Sequence, residues 1–264
     1  HGLEGSSSSR YIASTSKHLN KKGLDTVCFN LRGCSGDDNL LLGTYHSGKT
    51  EDVDFVVNHL IKNYNYKNIV IVGFSLGGNL TLKYLGEKAS KISSKIKGGI
   101  AVSVPIDIAS AEKEMDKLKN KLYMEVFFKT MKNKLLEKSH KFPEYNLDKD
   151  KLFKATKFKH LEHLYTVPVF GFESPEDYWI KASSKPYLSK IKKPTLLINA
   201  KDDTFLSEDC FPFEEAHNSE FFFFEETKFG GHVGFMSSFK PKENMWLEHR
   251  IARFIKDNIQ IDIL

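Results

Sequence analysis

Five short apolar runs, separated by stretches of helical periodicity, constrain this chain more than any other feature. They are Thr26-Val27-Cys28-Phe29-Asn30-Leu31, Ile69-Val70-Ile71-Val72, Gly99-Ile100-Ala101-Val102-Ser103-Val104, Thr195-Leu196-Leu197-Ile198 and Phe221-Phe222-Phe223-Phe224. A strand without polar alternation has no solvent face, which points to a parallel sheet covered on both sides. Val53, Val56, Val57, Leu60 and Ile61 repeat at helical spacing behind Glu51 and Asp52, acids that favour a helix start. Leu80, Leu82, Tyr84 and Leu85 follow the second run, and Met245, Trp246, Leu247, Ile251, Phe254 and Ile255 mark a terminal helix. The expected class is α/β, a mostly parallel sheet with helices on both faces.

That rhythm breaks between residues 107 and 190, a lysine-rich and mostly helical stretch. Leu118, Leu122, Val126, Met131 and Leu135 form one apolar stripe there, read as the buried side of a helix. Since the stretch falls between two strands, it is expected to be a helical cap inserted over the strand ends. The whole of 1–264 is then one domain with 107–190 as its insertion. From Lys113 to Lys159 there are 14 lysines against seven acids, a local +7 in a chain whose total is +5. The excess reads first as a solvated helical surface and second as a lid that faces lipid. A net charge this small, without a basic motif, gives no sign of a nucleic-acid partner.

Cys28, Cys34 and Cys210 form no spaced pair, so neither a disulfide framework nor a zinc site is expected, and a reducing cytoplasmic setting fits. No apolar run reaches the roughly 18 residues of a spanning helix. No signal peptide is visible, although the sequence starts at His1-Gly2 without Met.

The chemistry sits in Gly73-Phe74-Ser75-Leu76-Gly77-Gly78, a G-x-S-x-G between a strand and a helix. A sharp strand-to-helix turn lifts the serine oxygen clear of the sheet and needs small neighbours. The N–H of Leu76 then lies at a helix start, ready for an oxyanion. A serine hydroxyl needs a base, and His232 stands in the glycine-flanked loop Phe229-Gly230-Gly231-His232-Val233-Gly234 after the last strand. The base needs an acid, and both Asp202 and Asp203 follow the strand at Thr195. Spacing alone does not separate them; Asp203 is preferred because it lies three residues after the small Ala200, a position that resembles the G-x-x-D of related hydrolases. The other is expected to bond backbone in the turn. His1-Gly2-Leu3-Glu4-Gly5 has the form of the second oxyanion loop, with the N–H of Leu3 as donor and His1 as a brace. In Tyr45-His46-Ser47-Gly48, His46 or Ser47 could brace the site, but capping of the next helix by Ser47 or Thr50 is the better reading.

The segments HGLEGS, NLRGCSG, TYHSGKTED, VGFSLGGN, LLINAKDD and GGHVGF, with VPVFGF in the cap, together resemble the AB hydrolase 4 family of esterases and lipases in the AB hydrolase superfamily. The resemblance runs from residue 1 nearly to the end. It implies an α/β-hydrolase fold, a triad on Ser75, Asp203 and His232, no cofactor, and a role in lipid metabolism. Family members usually carry several tens of residues before HGLEGS, including the first strands. An open sheet edge and a poorly held Leu3 loop are therefore expected.

The leading functional expectation is hydrolysis of carboxylic esters through an acyl-enzyme on Ser75, and the resemblance implies short- or medium-chain esters and acylglycerols as the substrates. A phospholipase role belongs to the same reading. Two alternatives are an acyltransferase on the same triad and a non-catalytic binding protein that has kept the fold. A complete Ser, Asp and His set counts against the second. The expected partner is a small ester or lipid, with room for peripheral membrane contact.

Overall fold

Ile69-Val70-Ile71-Val72 becomes the core of β1 (Ile69–Phe74) in the computed structural model, which describes residues 1–236 and 245–264. Ahead of β1 lie α1 (Arg10–Lys21) and α2 (Glu51–Asn63), and after it α3 (Leu76–Lys88). β2 (Ile96–Val102), β3 (Thr195–Ala200) and β4 (Phe222–Thr227) complete a four-stranded parallel sheet in the order β1-β2-β3-β4. Its register places Val72 beside Ile100, Ile100 beside Leu196, and Leu196 beside Phe223.

Side chains alternate between the two faces of this sheet. Ala101, Leu197 and Phe222 pack with Leu80 and Leu85 of α3 and with Val53 and Val57 of α2. Ile100, Val102, Leu196 and Ile198 pack on the other face with Leu19 of α1. They also meet Leu247, Ile251, Phe254 and Ile255 of the terminal helix Trp246–Asp257. The helices thus cover both faces, as continuous apolar strands require.

Between β2 and β3 the chain is helical. It runs through α4 (Ile108–Met115), α5 (Lys121–Lys141), α6 (Lys149–Lys154), α7 (Phe158–Leu161), α8 (Val167–Phe170) and α9 (Pro175–Ala182). Met124, Phe128, Leu135, Leu152, Phe158, Leu161 and Tyr165 form its own buried cluster. Among the described residues, no helix is long and apolar enough to cross a membrane.

Three expectations need correction. Residues 26–31 form no strand, because among the described residues no strand lies beside them to complete a ladder. A cleft of about 530 Å³ separates them from the free edge of β1, lined by Val27, Phe29, Val57, Val70 and Val72. The expected open edge is therefore there, and it leaves β1 only half-buried. The apolar stripe of α5 also faces differently. Leu118, Leu122 and Val126 are exposed, and the buried seam is Met124, Phe128 and Leu135, with Met131 half-buried beside them. Finally, Thr50 occupies the N-cap position of α2 without capping it, since its hydroxyl donates to Glu87 Oε2 at 2.6 Å. Ser47 does not cap either; its N–H donates to Tyr178 Oη at 3.0 Å.

Candidate active site

One residue makes the turn between β1 and α3, and it is Ser75. Its backbone sits at φ +52°, ψ −120°, a region that costs a non-glycine residue about 1–3 kcal/mol. The Ser75 N–H donates to Val102 O of β2 at 2.7 Å, which ties the strained residue to the sheet. Glycines make the close approach possible. A Cβ on Gly73 would lie 2.2 Å from Gly77 O, and one on Gly77 would lie 2.6 Å from His1 O.

The loop after β4 brings His232 to this turn. His232 Nδ1 is 2.8 Å from Asp203 Oδ2 and Nε2 is 2.9 Å from Ser75 Oγ. An ionised carboxylate only accepts, so Nδ1–H is the donor to Asp203 and Nε2 is free to accept the serine proton. The Asp203 side chain is wholly buried, and its other oxygen accepts the Phe205 N–H at 3.0 Å. Phe205 also lies against the His232 ring, with centroids 4.6 Å apart. Asp202 takes a different part: Oδ1 accepts the N–H groups of Gly230 at 2.9 Å and Gly231 at 2.8 Å, in the loop that carries His232.

The first loop of the chain closes the other side. A Cβ on Gly2 would lie 3.1 Å from Ser75 Cβ, so Leu3 follows directly on a residue packed against the serine. Leu3 and Leu76 both line the same cavity as Ser75 and His232. Neither backbone N–H is hydrogen-bonded within the described residues, which leaves both free for an oxyanion. Against the expectation of a poorly held Leu3 loop, side chains from other elements fasten it. Gly2 N–H donates to Tyr11 Oη at 2.9 Å and Glu4 N–H to Tyr45 Oη at 3.0 Å. His1 is a brace: Leu31 N–H donates to its Nε2 at 3.0 Å, and its Nδ1 lies 2.8 Å from Gly2 O.

The cavity over Ser75 has a volume of about 130 Å³. Met115, Met131, Leu135, Phe158, Leu161 and Phe205 give it an apolar wall drawn largely from the helices between β2 and β3. Its polar wall carries two carboxyls that sequence reasoning missed, Glu112 of α4 and Glu162. Glu162 accepts from Trp179 Nε1 at 2.7 Å and lies against Glu112. Burial pushes the Glu162 carboxyl up to about 8. Burial and the neighbouring Glu162 charge push Glu112 well above the usual carboxylate range. Burial of both groups thus favours the protonated form of the pair. His46, on the same wall, is driven down to about 3, mainly by burial and further by Lys49 and Lys83, so it stays neutral.

Asn79 was also missed, although it follows the serine motif by one residue. It is fully buried, and its Nδ2 donates to Ser47 O and Ala182 O, both at 2.8 Å. Its Oδ1 accepts the Ser184 N–H at 2.9 Å, so one side chain joins α3 to the Tyr45–Gly48 loop and to the end of α9. Its partners lie far off in sequence, so no local pattern announces them. Among the described residues, no group of three or more His, Cys, Asp or Glu side chains could hold a metal ion.

The fold and this site define the class, a hydrolase of the α/β-hydrolase fold. A family model described as "alpha/beta hydrolase fold" matches residues 1–235, and the chain belongs to that family. "Putative esterase YheT" of Escherichia coli is 31% identical over 256 residues, 97% of this chain and 74% of its own length. "Phospholipase ABHD3" of Homo sapiens is 27% identical, covering 98% of this chain and 63% of its own length. "Monoacylglycerol lipase" of Saccharomyces cerevisiae is 28% identical, covering 97% and 58%. The chain thus spans less than two thirds of the human and yeast relatives. Among solved structures, the Pyrococcus furiosus esterase Pf2001 superposes with a TM-score of 0.63 at 19% identity, covering 98% of this chain and 80% of that one. That likeness speaks for the fold alone.

Proposed function

We propose that this chain hydrolyses carboxylic esters of short or medium acyl length through an acyl-enzyme on Ser75. The observation that carries the reading is the unbroken relay Asp203–His232–Ser75, at 2.8 and 2.9 Å, in the wall of an apolar-sided cavity. As Ser75 Oγ attacks the ester carbonyl carbon, its proton passes to His232 Nε2. Asp203 stabilises the imidazolium, and the N–H groups of Leu3 and Leu76 receive the oxyanion. Collapse of the tetrahedral species breaks the bond to the alcohol, which leaves with the proton held by His232. Water then attacks the acyl-serine by the same route in reverse order of roles, releasing the acid and restoring Ser75.

The apolar wall of Met115, Met131, Leu135 and Phe158 supports an acyl chain as the part of the substrate it holds. The relatives named for phospholipid and monoacylglycerol cleavage support lipid esters among the substrates. A fluorophosphonate probe should label Ser75 and stop turnover of nitrophenyl esters. Replacement by Ser75→Ala should abolish both, whereas equal labelling of that variant would place the nucleophile elsewhere.

A further inference from the structure

The apolar side chains that open α5 face outward. Leu118 is 84% exposed, Leu122 78%, Tyr123 61% and Val126 65%. Leu122 and Val126 are four residues apart on one face of α5, and Leu118 stands exposed in the 3-10 turn Leu118–Asn120 that leads into it. Core packing does not explain them, because α5 already buries Met124, Phe128 and Leu135 on another face. Monomeric surfaces seldom keep a contiguous apolar ridge of this kind without a use for it.

The flanks of the ridge are basic. Lys113, Lys117, Lys119, Lys121 and Lys129 are all exposed around it. Lys117 and Lys119 share Glu114, at 2.5 and 3.3 Å, and Lys121 reaches Glu125 only at 4.0 Å. Lys113 and Lys129 have no ion-pair partner among the described residues. The other half of α5 is fastened to the body of the molecule. Lys134 pairs with Glu4 at 2.9 Å, and Lys138 and Lys141 both pair with Asp38 at 2.9 Å. The ridge is therefore a fixed projection.

It also stands next to the reaction centre. The Tyr123 ring meets Phe205 edge-on at 5.5 Å, and Phe205 lies on His232 at 4.6 Å. Phe229 and Met236, likewise exposed, belong to the loop that carries His232.

We infer that the Leu118–Leu122–Val126 ridge with its lysine flanks is a docking face for an anionic lipid surface. Apolar side chains on such a face enter the boundary between headgroups and acyl chains, while lysines gather anionic headgroups. A second copy of the chain fits less well, since pairing two such faces would bring lysine against lysine. Docking in this way sets the His232 side of the cavity near the lipid, two aromatic contacts from the helix that touches it.

The test uses vesicles of phosphatidylcholine alone and vesicles of phosphatidylcholine mixed with phosphatidylserine, whose headgroups give the surface a negative potential. The chain should sediment with the anionic vesicles about tenfold more strongly than with neutral ones, and raised salt should release it. The double variant Leu122→Ser/Val126→Ser should lose about tenfold in partitioning. It should keep its melting temperature and its turnover of soluble nitrophenyl acetate, because neither side chain is buried or lines the cavity. Equal partitioning of the two proteins, or no binding to anionic vesicles at low salt, would overturn the inference. So would a wild-type dimer that the double variant splits. Vesicle binding by a chain inactive on every soluble ester would support the docking face and count against the ester reading instead.

Discussion

Asp202 Oδ1 accepts the Gly231 N–H at 2.8 Å, so the residue beside Asp203 holds the loop that presents His232. Two adjacent aspartates thus serve one histidine by different routes, one through its ring and one through its backbone setting.

This division predicts different kinetic losses. Asp203→Asn should lower kcat by about 10⁴-fold, because the amide favours the wrong imidazole tautomer. Asp202→Ala should cost on the order of tenfold, together with a lower melting temperature, as the loop loses two charge-assisted bonds. Steady-state kinetics and thermal melts of both variants check this. A silent Asp203→Asn would remove Asp203 from the relay.

A second prediction comes from the carboxyl pair. The folded Glu162 carboxyl titrates at about 8 against 4.5 for an ordinary glutamate. Below the lower value both states hold the proton and there is no penalty. Between the two values only the folded state holds it, so stability falls as pH rises, and above the upper value the loss is complete. Wild-type melting temperature should therefore drop from about pH 5 to pH 8 more steeply than that of Glu162→Gln. Gln can still accept from Trp179. Parallel curves for the two proteins would show that Glu162 does not titrate in this window.

The third concerns acyl length. Met131 lines the cavity, whereas Val126 points away from it. Met131→Trp should cut kcat/KM for octanoyl esters about 4- to 15-fold, in line with the loss of one or two buried methylenes, and spare acetyl esters. Val126→Asp should leave the whole chain-length profile unchanged. A series of nitrophenyl esters compares the two variants, and the reverse pattern would mean that the acyl chain lies elsewhere.

The fourth probes the oxyanion loop through a glycine. A Cβ on Gly77 would lie 2.6 Å from His1 O, so Gly77→Ala should push the His1–Glu4 loop off the serine. Loss of one donor predicts a fall of about 10²–10³ in kcat with little change in KM. A matching rise in KM would point to a blocked cavity.

The parts of the site that sequence made legible are those fixed by local backbone geometry. Ser75 must stand at a strand-to-helix turn and His232 must follow a strand, so periodicity and glycine placement located them, whereas spacing narrowed the acid only to Asp202 or Asp203 and the family resemblance chose between them. The parts that escaped depend on what lies opposite. α5 carries apolar residues on two faces, Leu122 and Val126 on one, with Leu118 in the turn before them, and Met124, Phe128 and Leu135 on another, and spacing alone does not say which is buried. Residues 26–31 have the composition of a strand, but a strand is made by its neighbour's hydrogen bonds. Glu112 and Glu162 lie 50 positions apart, and only the folding of the helices between β2 and β3 sets them in one wall.

The most direct measurement is rapid-quench mass spectrometry of the chain mixed with nitrophenyl butyrate. A burst of nitrophenol should accompany a butyryl adduct on the peptide that contains Ser75, and Asp203→Asn should slow its formation. Turnover at an ordinary rate with the adduct on another residue, or with no covalent adduct under any quench time, would contradict the acyl-enzyme on Ser75.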